Sequence, residues 1–266
     1  MKGTVAIIAA LPGELKPLVS PVSGARWQRL KASKGTVLWE RSHASGRWIA
    51  GCSGMGGSRA AVALGEIERY VSNDPVAAIC SVGWVGALDP NISAASVWHI
   101  AQVIDTRTGE RFTTAQHVSG HTEAWPVLAT VARIADAAEK VRLAATYSAR
   151  LVDMEAATLA RIAQARGIPF YCLKAVSDDA DAKLPDLNPF IRTDGRIRLA
   201  PFLTHVAVRP ASWRGLRKLG RYSSMSARHL ADAIRMWLED DVQVAGAAST
   251  GVSSTVAPIY FEKGKD

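Results

Sequence analysis

Cysteine is scarce in this 266-residue chain: three residues, Cys52, Cys80 and Cys172, with no CxxC spacing. A disulfide scaffold is therefore excluded, and a reducing cytosol with the thiols as small core residues is the simplest expectation. No uninterrupted apolar run is long enough to span a bilayer. Val242 to Phe261 lacks charge, but Gln, Ser, Thr, Gly and Pro break it, and it reads as a tail. There is no internal repeat and no recognisable nucleic-acid module, so no nucleic-acid partner is expected. Metal ligands are thin as well. His117 and His121 are separated by the loop-like Val118, Ser119 and Gly120 and lack a third ligand, so no metal is expected.

With 48% hydrophobic and 21% charged residues, the composition excludes wholesale disorder and leaves ample material for a core. Basic residues outnumber acidic ones, 32 to 24. Ten basic and two acidic residues lie between Arg192 and Arg235, so that stretch carries the whole excess of +8. A localised basic surface suits an anionic neighbour such as lipid, nucleic acid or a phosphorylated ligand.

Val5 to Ala10 is a continuous apolar run, as in strands buried on both faces. Lys2 before it resembles the start of a signal peptide, but Pro12, Gly13 and Glu14 follow without a small-residue cleavage site. A first strand and a turn are the better reading. Further strands are expected at Trp27–Leu30, Thr36–Glu40, Arg47–Ala50, Val76–Val82, Val97–Ile104, Val127–Ile134, Leu151–Asp153 and Phe170–Val176. Helices are expected at Ser58–Tyr70, Ala137–Ala145, Glu155–Arg166 with a stop at Gly167, and Ser226–Leu238 with Leu230, Ala233, Ile234 and Trp237 on one face. Alternating strands and helices make an α/β fold with a central, partly parallel sheet. Ligands in such sheets sit where strands end. The residues at those ends are Glu14, Gly54 to Gly57, Gly83 to Gly86, Asp153 to Glu155, and Ser177 to Asp181.

Each of these pieces has a plain structural reading beside the chemical one. Acids at a helix start favour the helix dipole, Ser177-Asp178-Asp179 could be a capping turn, and Gly54-Met55-Gly56-Gly57 could be a tight turn as readily as an anion cradle. Their order and spacing together resemble the purine nucleoside phosphorylase and methylthioadenosine/adenosylhomocysteine nucleosidase superfamily. The resemblance rests on AIIAALPGEL, CSGMGGSRAA, SVGWVGAL, VDMEAATLARIAQARGIPF and CLKAVSDDAD, which anchor residues 4 to 182. It implies a three-layer sandwich around a mixed, partly parallel, twisted sheet, with a C-terminal helical extension. It also implies roles. Glu155 would bind the ribose hydroxyls, with Met154 against the sugar. Asp178 would face purine N7 as general acid, oriented by Ser177, with partial burial and nearby Asp179 or Asp181 raising its pKa. Glu14 would position and activate water, with Lys174 standing where an arginine is usual. Phosphorolysis would instead draw on Gly54, Gly56, Gly57 and Arg59, although Arg59 also reads as a solvated helix residue and Ser81 stands where hexameric phosphorylases place an arginine. Neither metal nor organic cofactor is implied; inorganic phosphate is the alternative co-substrate. A homo-oligomer is implied.

Two departures stand out. Trp84, within Gly83-Trp84-Val85-Gly86, replaces a small residue and would crowd the sugar pocket or wall a large 5′ substituent. The stretch from Val127 to Arg150 lacks the Ser-Gly-Asp-x-Phe base signature, so base contacts would come from backbone there. The extension LPDLNPFIRTDGRIRLAPFLTHVAVRPASWRGLRKL resembles that of hopanoid-associated phosphorylases, which implies adenosylhopane as substrate. Trp213 to Tyr222, with Trp213, Leu216 and Leu219 beside Arg214, Arg217, Lys218 and Arg221, suits peripheral contact with the inner face of the membrane or an ordinary basic surface helix. The expected organisation is a catalytic core over 1–182, a basic helical extension of the same domain over 183–241, and a flexible tail over 242–266. The expected activity is cleavage of the N-glycosidic bond of an adenine nucleoside with a bulky 5′ group, by water or phosphate. The alternatives are a conventional small-substrate phosphorylase or nucleosidase, and a non-catalytic nucleoside-binding protein.

Overall fold

A computed structural model describes residues 3–21, 26–43, 46–72, 74–115, 125–182, 188–190, 195 and 213–250. Strand β1 (Gly3–Ala9) is buried on both faces. It lies between two parallel neighbours, β4 (Gly46–Cys52) and β5 (Val76–Ala87). Outside β4, β3 (Val37–His43) and β2 (Gln28–Leu30) continue the sheet antiparallel. Strand β5 is twelve residues long and is the hub. One side of it pairs with β1 and then, antiparallel, with β10 (Leu151–Asp153); the other carries the parallel β11 (Phe170–Asp178). Beyond β10 lie β9 (Val127–Thr130), β7 (Gln102–Asp105) and β8 (Arg111–Thr113); beyond β11 lies β6 (Val97–His99). This mixed sheet has eleven strands among the described residues.

The pleat assigns alternate β1 residues to two cores. Ala6 and Ile8 pack with α2 (Gly57–Val71) and α4 (Ala156–Arg166), through Leu64, Ile67, Leu159 and Ala163. Val5, Ile7 and Ala9 pack on the other face with α1 (Pro12–Val19) and the C-terminal helix α5 (Trp213–Thr250), through Leu15, Leu18, Leu230, Ile234 and Trp237. Each such buried side chain contributes roughly 1.5–3 kcal/mol by leaving water. The sandwich thus has three layers, with α3 (Ala137–Tyr147) closing a third, smaller cluster through Leu143.

Several expectations shift. The turn expected after β1 is helix α1, started by Pro12 at its first turn, where a missing N–H costs nothing. The single strand expected at Val97–Ile104 is two. Ile100 N–H donates to Cys172 O and Ala101 N–H to Pro126 O, so the chain changes partners from β11 to β9 at that step. The strand expected to reach Ile134 stops at Thr130. Helix α4 ends as expected, with Gly167 at φ 64°. Helix α5 exceeds its expected span at both ends, continuing through Thr250 where a tail was expected from Val242. It is pinned by Ser226 Oγ, which donates to Val176 O at 2.6 Å. No described helix is long and apolar enough to cross a membrane. His117 and His121 lie outside the described residues, as does most of the hopanoid-like extension.

Candidate active site

The chemistry gathers at the carboxyl ends of β1, β4, β10 and β11, around the middle of β5. At its base is Lys174, 1% exposed on β11. A buried ammonium needs a partner. Its Nζ lies 2.9 Å from Asp153 Oδ2 and donates to Ser81 Oγ at 3.0 Å. Asp153 also accepts from Thr130 Oγ1 (2.7 Å) and from Ala156 N–H at the start of α4 (3.0 Å), so both of its oxygens are engaged. Burial pushes the Lys174 pKa down, yet the facing carboxylates, Asp153 foremost, outweigh it and leave the ammonium above its usual range.

Glu155 follows two residues after Asp153, at the N-cap of α4. Gly56 N–H donates to its Oε1 at 2.6 Å, and Met154 N–H reaches Oε2 at 3.3 Å. The glycine loop therefore holds an internal carboxylate with one of its N–H groups. Gly56 adopts φ 91°, a conformation open to glycine, to aim that donor. Burial first, then the Asp153 charge, raises the Glu155 carboxyl to about 7, against the pull of Lys174 and the Gly56 N–H. Arg59 is turned to Ser53, through Nε to the carbonyl (2.9 Å) and a terminal nitrogen to Oγ (2.6 Å). Gly195 from the extension covers the loop, its carbonyl accepting from Met55 N–H at 2.8 Å.

Glu14, 3% exposed on α1, accepts from Leu11 N–H (2.6 Å) and from Trp84 N–H (2.7 Å). Burial raises its pKa, opposed by those two N–H groups and by Lys174. Gly83 is required beneath it. Its φ is 139°, and a Cβ there would lie 2.7 Å from Glu14 Oε1. The Trp84 ring tip lies against Gly13, and its buried indole N–H has no hydrogen-bond partner among the described residues.

Asp178 ends β11 opposite Gly86 of β5. Ser177 Oγ donates to its Oδ1 at 2.7 Å, as expected of an orienting hydroxyl. The carboxylate of Asp179, expected beside it, is engaged elsewhere. Asp179 turns its own oxygens to Ala94 N–H (3.0 Å) and Lys218 Nζ (2.9 Å). Asp178 Oδ2 instead meets Lys140 Nζ of α3 at 2.5 Å.

Glu14, Glu155, Asp178, Ser177, Met154, Gly83, Trp84, Gly54, Gly56 and Gly57 thus share one edge of the sheet. Lys174 lies beneath them, paired with Asp153 and still near enough to Glu14 to oppose its raised pKa, and Arg59 is engaged by Ser53. Sequence reasoning missed Lys140, although its spacing three residues from Leu143 places it on the buried face of α3. It also missed Asn188, whose carboxamide clasps the Ile134 peptide: Ile134 N–H donates to Oδ1 (2.9 Å) and Nδ2 donates to Ile134 O (3.0 Å). A 440 Å³ hollow elsewhere, between β8 and α4, is lined by Arg111, Phe112, Ala160, Gln164 and Phe170 among others and holds no carboxylate.

Comparisons with known proteins agree with this architecture. No curated protein sequence matches the chain. Residues 121–206 match the family profile described as the Phosphorylase superfamily. Among solved structures, Helicobacter pylori 5′-methylthioadenosine/S-adenosyl homocysteine nucleosidase is similar with a TM-score of 0.65 and 14% identity, over 90% of this chain and 98% of that one. Arabidopsis thaliana 5′-methylthioadenosine nucleosidase gives 0.67 and 15%, over 90% and 95%. Helicobacter pylori futalosine hydrolase gives 0.63 and 15%, over 91% and 98%. The chain therefore has the fold of these nucleosidases, and its residues 121–206 carry the sequence pattern of the Phosphorylase superfamily.

Proposed function

We propose that the protein is an enzyme that cleaves the N-glycosidic bond of an adenine nucleoside carrying a bulky 5′ substituent, releasing adenine by hydrolysis. The observation that carries this reading is the convergence of Glu14, Glu155 and Asp178 on one edge of the sheet around Gly83 and Gly86. Glu155 accepts from the vicinal ribose hydroxyls, a task for an ionised carboxylate. Asp178 passes a proton to purine N7 as the C1′–N9 bond breaks, so the base departs neutral. Glu14 takes a proton from the water that attacks C1′. The base lies along the strand that ends before Ile134, where a peptide N–H beside a C=O complements the acceptor–donor edge of a 6-aminopurine. Asn188 presents the same pattern to those groups.

Water is favoured over phosphate by what the donors already do. A phosphate dianion needs several free cationic or N–H groups. Arg59 is spent on Ser53, Lys174 on Asp153 and Ser81, and Gly56 N–H on Glu155. The bulky 5′ group, adenosylhopane as leading candidate, is supported by the Trp84 indole at the Glu14 end and by the basic face of α5, where Arg217, Arg221 and Arg228 are exposed. A small-substrate methylthioadenosine-type nucleosidase is the second reading, favoured by the fold of the similar structures. The test is adenine release from adenosylhopane and from 5′-methylthioadenosine, each with and without phosphate. Free ribose sugars in both conditions support hydrolysis, and preference between the substrates separates the two readings. No adenine from either refutes both.

A further inference from the structure

Lysine is almost never fully buried without a purpose-built partner. Lys140 is 4% exposed, on a helix whose first turn is fixed by Asp136, the N-cap that accepts from Glu139 N–H at 2.8 Å. Its Nζ contacts Asp178 Oδ2 at 2.5 Å and donates to Asp179 O at 2.8 Å. Strand β5 leaves room for both groups by placing Gly86 there. A Cβ on Gly86 would stand 3.1 Å from Asp178 Oδ2 and 3.3 Å from Lys140 Cε. The other charged groups nearby are accounted for: the Asp179 carboxylate pairs with Lys218, and Lys174 pairs with Asp153. Lys140 thus puts a positive charge directly on the carboxylate assigned to the departing base.

This inference rests on the reading of Asp178 as general acid. We propose that Lys140 is the positioning residue of that acid, holding Oδ2 in place and balancing the charge left on Asp178 once its proton has gone to the base. In the step, the C1′–N9 bond breaks and its electron pair enters the purine. Asp178, which takes up a proton from solvent as the nucleoside binds, passes it to N7; the water oxygen bonds to C1′, and the proton it sheds moves to Glu14. Asp178 emerges as a carboxylate, and the ammonium already in contact with it stabilises that product in a low-dielectric setting.

The charge matters only when the leaving group needs a proton. Purines do; 4-nitrophenolate leaves as a stable anion. The experiment measures kcat and KM of the full-length chain on 5′-methylthioadenosine and on 4-nitrophenyl β-D-ribofuranoside, for wild type, K140Q and K140R. K140Q keeps a hydrogen-bond donor and removes the charge. It is expected to lower kcat on the nucleoside by roughly a hundredfold or more, the scale of general-acid catalysis, with KM and the nitrophenyl rate little changed. K140R, which keeps the charge, recovers much of the loss. Because an unpaired buried carboxylate can prevent folding, D178N/K140Q supplies a second reading. If Lys140 acts through Asp178, the double variant is no slower on the nucleoside than D178N alone. Equal losses on both substrates, no loss on the nucleoside, or a further loss in the double variant overturns the role of Lys140 while leaving the nucleosidase reading intact. A wild-type chain that cleaves neither substrate overturns both.

Discussion

Replacing Glu155 by Gln tests the ribose grip with almost no change in shape. Oε1 still accepts from Gly56 N–H, now as an amide oxygen, so the glycine loop keeps its anchor. What is lost is the ability to accept from two sugar hydroxyls as an anion. Charge-assisted hydrogen bonds contribute about 1.5–3 kcal/mol each. Two of them amount to about 3–6 kcal/mol, a fall of roughly 10²–10⁴ in kcat/KM. The assay compares 5′-methylthioadenosine with its 2′-deoxy analogue in both proteins. Wild type discriminates strongly against the deoxy sugar, and E155Q discriminates weakly, because the partner of that hydroxyl has gone. The pH profile supplies a second readout. With the carboxyl raised to about 7 by burial and by Asp153, Glu155 is protonated below that pH, so wild-type kcat/KM climbs as pH rises through about 7. Stability runs the other way. The folded chain holds a proton that the unfolded chain has released between the ordinary value of 4.5 and about 7, so this group stabilises the fold below that window and the contribution is lost as pH rises through it. An E155Q protein within tenfold of wild type, or one that still rejects the deoxy sugar, refutes the assignment.

Gly83→Ala forces a non-glycine residue to φ 139° and pushes a methyl against Glu14 Oε1, at a cost of about 1–3 kcal/mol. Urea denaturation should show that loss, with activity falling further because Glu14 is displaced; wild-type values for both would remove the need for glycine. Ile234→Ala opens a cavity between α5 and the β1 face and should cost about 2–5 kcal/mol. A loss below about 1 kcal/mol would mark α5 as an appendage, since a well-packed core does not lose a large aliphatic side chain so cheaply. Asn188→Ala frees the Ile134 peptide and is expected to lower KM for adenine nucleosides severalfold. An unchanged KM, measured on the same substrates, would place the base elsewhere.

The parts of the fold legible in the sequence were those set by local pattern. The apolar runs of β1 and β11, the Gly167 stop of α4 and the Leu230–Trp237 stripe of α5 each depend on neighbours in the chain, and each is where the pattern put it. What was illegible depends on distant partners. Nothing in His99-Ile100-Ala101-Gln102 signals a break, because the break is made by carbonyls of Cys172 and Pro126. The site divides in the same way. The motif acids Glu14, Glu155 and Asp178 were found at strand ends. The ion pairs around them were not: Lys174 was seen without its Asp153 partner, and Lys140 was hidden in a helix whose charged residues otherwise read as solvated. A lone lysine inside an otherwise apolar strand or on the buried face of a helix is itself the signal, since such a charge must face a carboxylate.

The two lysines divide the site into unlike halves, and on the proposed reading that asymmetry is what glycosidic cleavage asks for. On the proposed base side, Lys140 meets Asp178 one to one. On the proposed sugar side, Lys174 faces Asp153, Glu155 and Glu14, and of these carboxylates it contacts Asp153 alone. Glu14 and Glu155 are left buried with no cation of their own, and both are raised for that reason. A raised carboxyl measures a local demand for positive charge. On the proposed reaction, the cationic sugar meets that demand in the transition state. The same burial that makes the two acids costly in the resting protein therefore becomes differential stabilisation of the oxocarbenium-like ribose, strongest as the C1′–N9 bond breaks. A sugar ring that stays neutral, such as a carbocyclic ribose, draws nothing from this arrangement. A ring with a fixed cation near C1′ should bind far more tightly, and its affinity should fall when either Glu14 or Glu155 is changed to Gln.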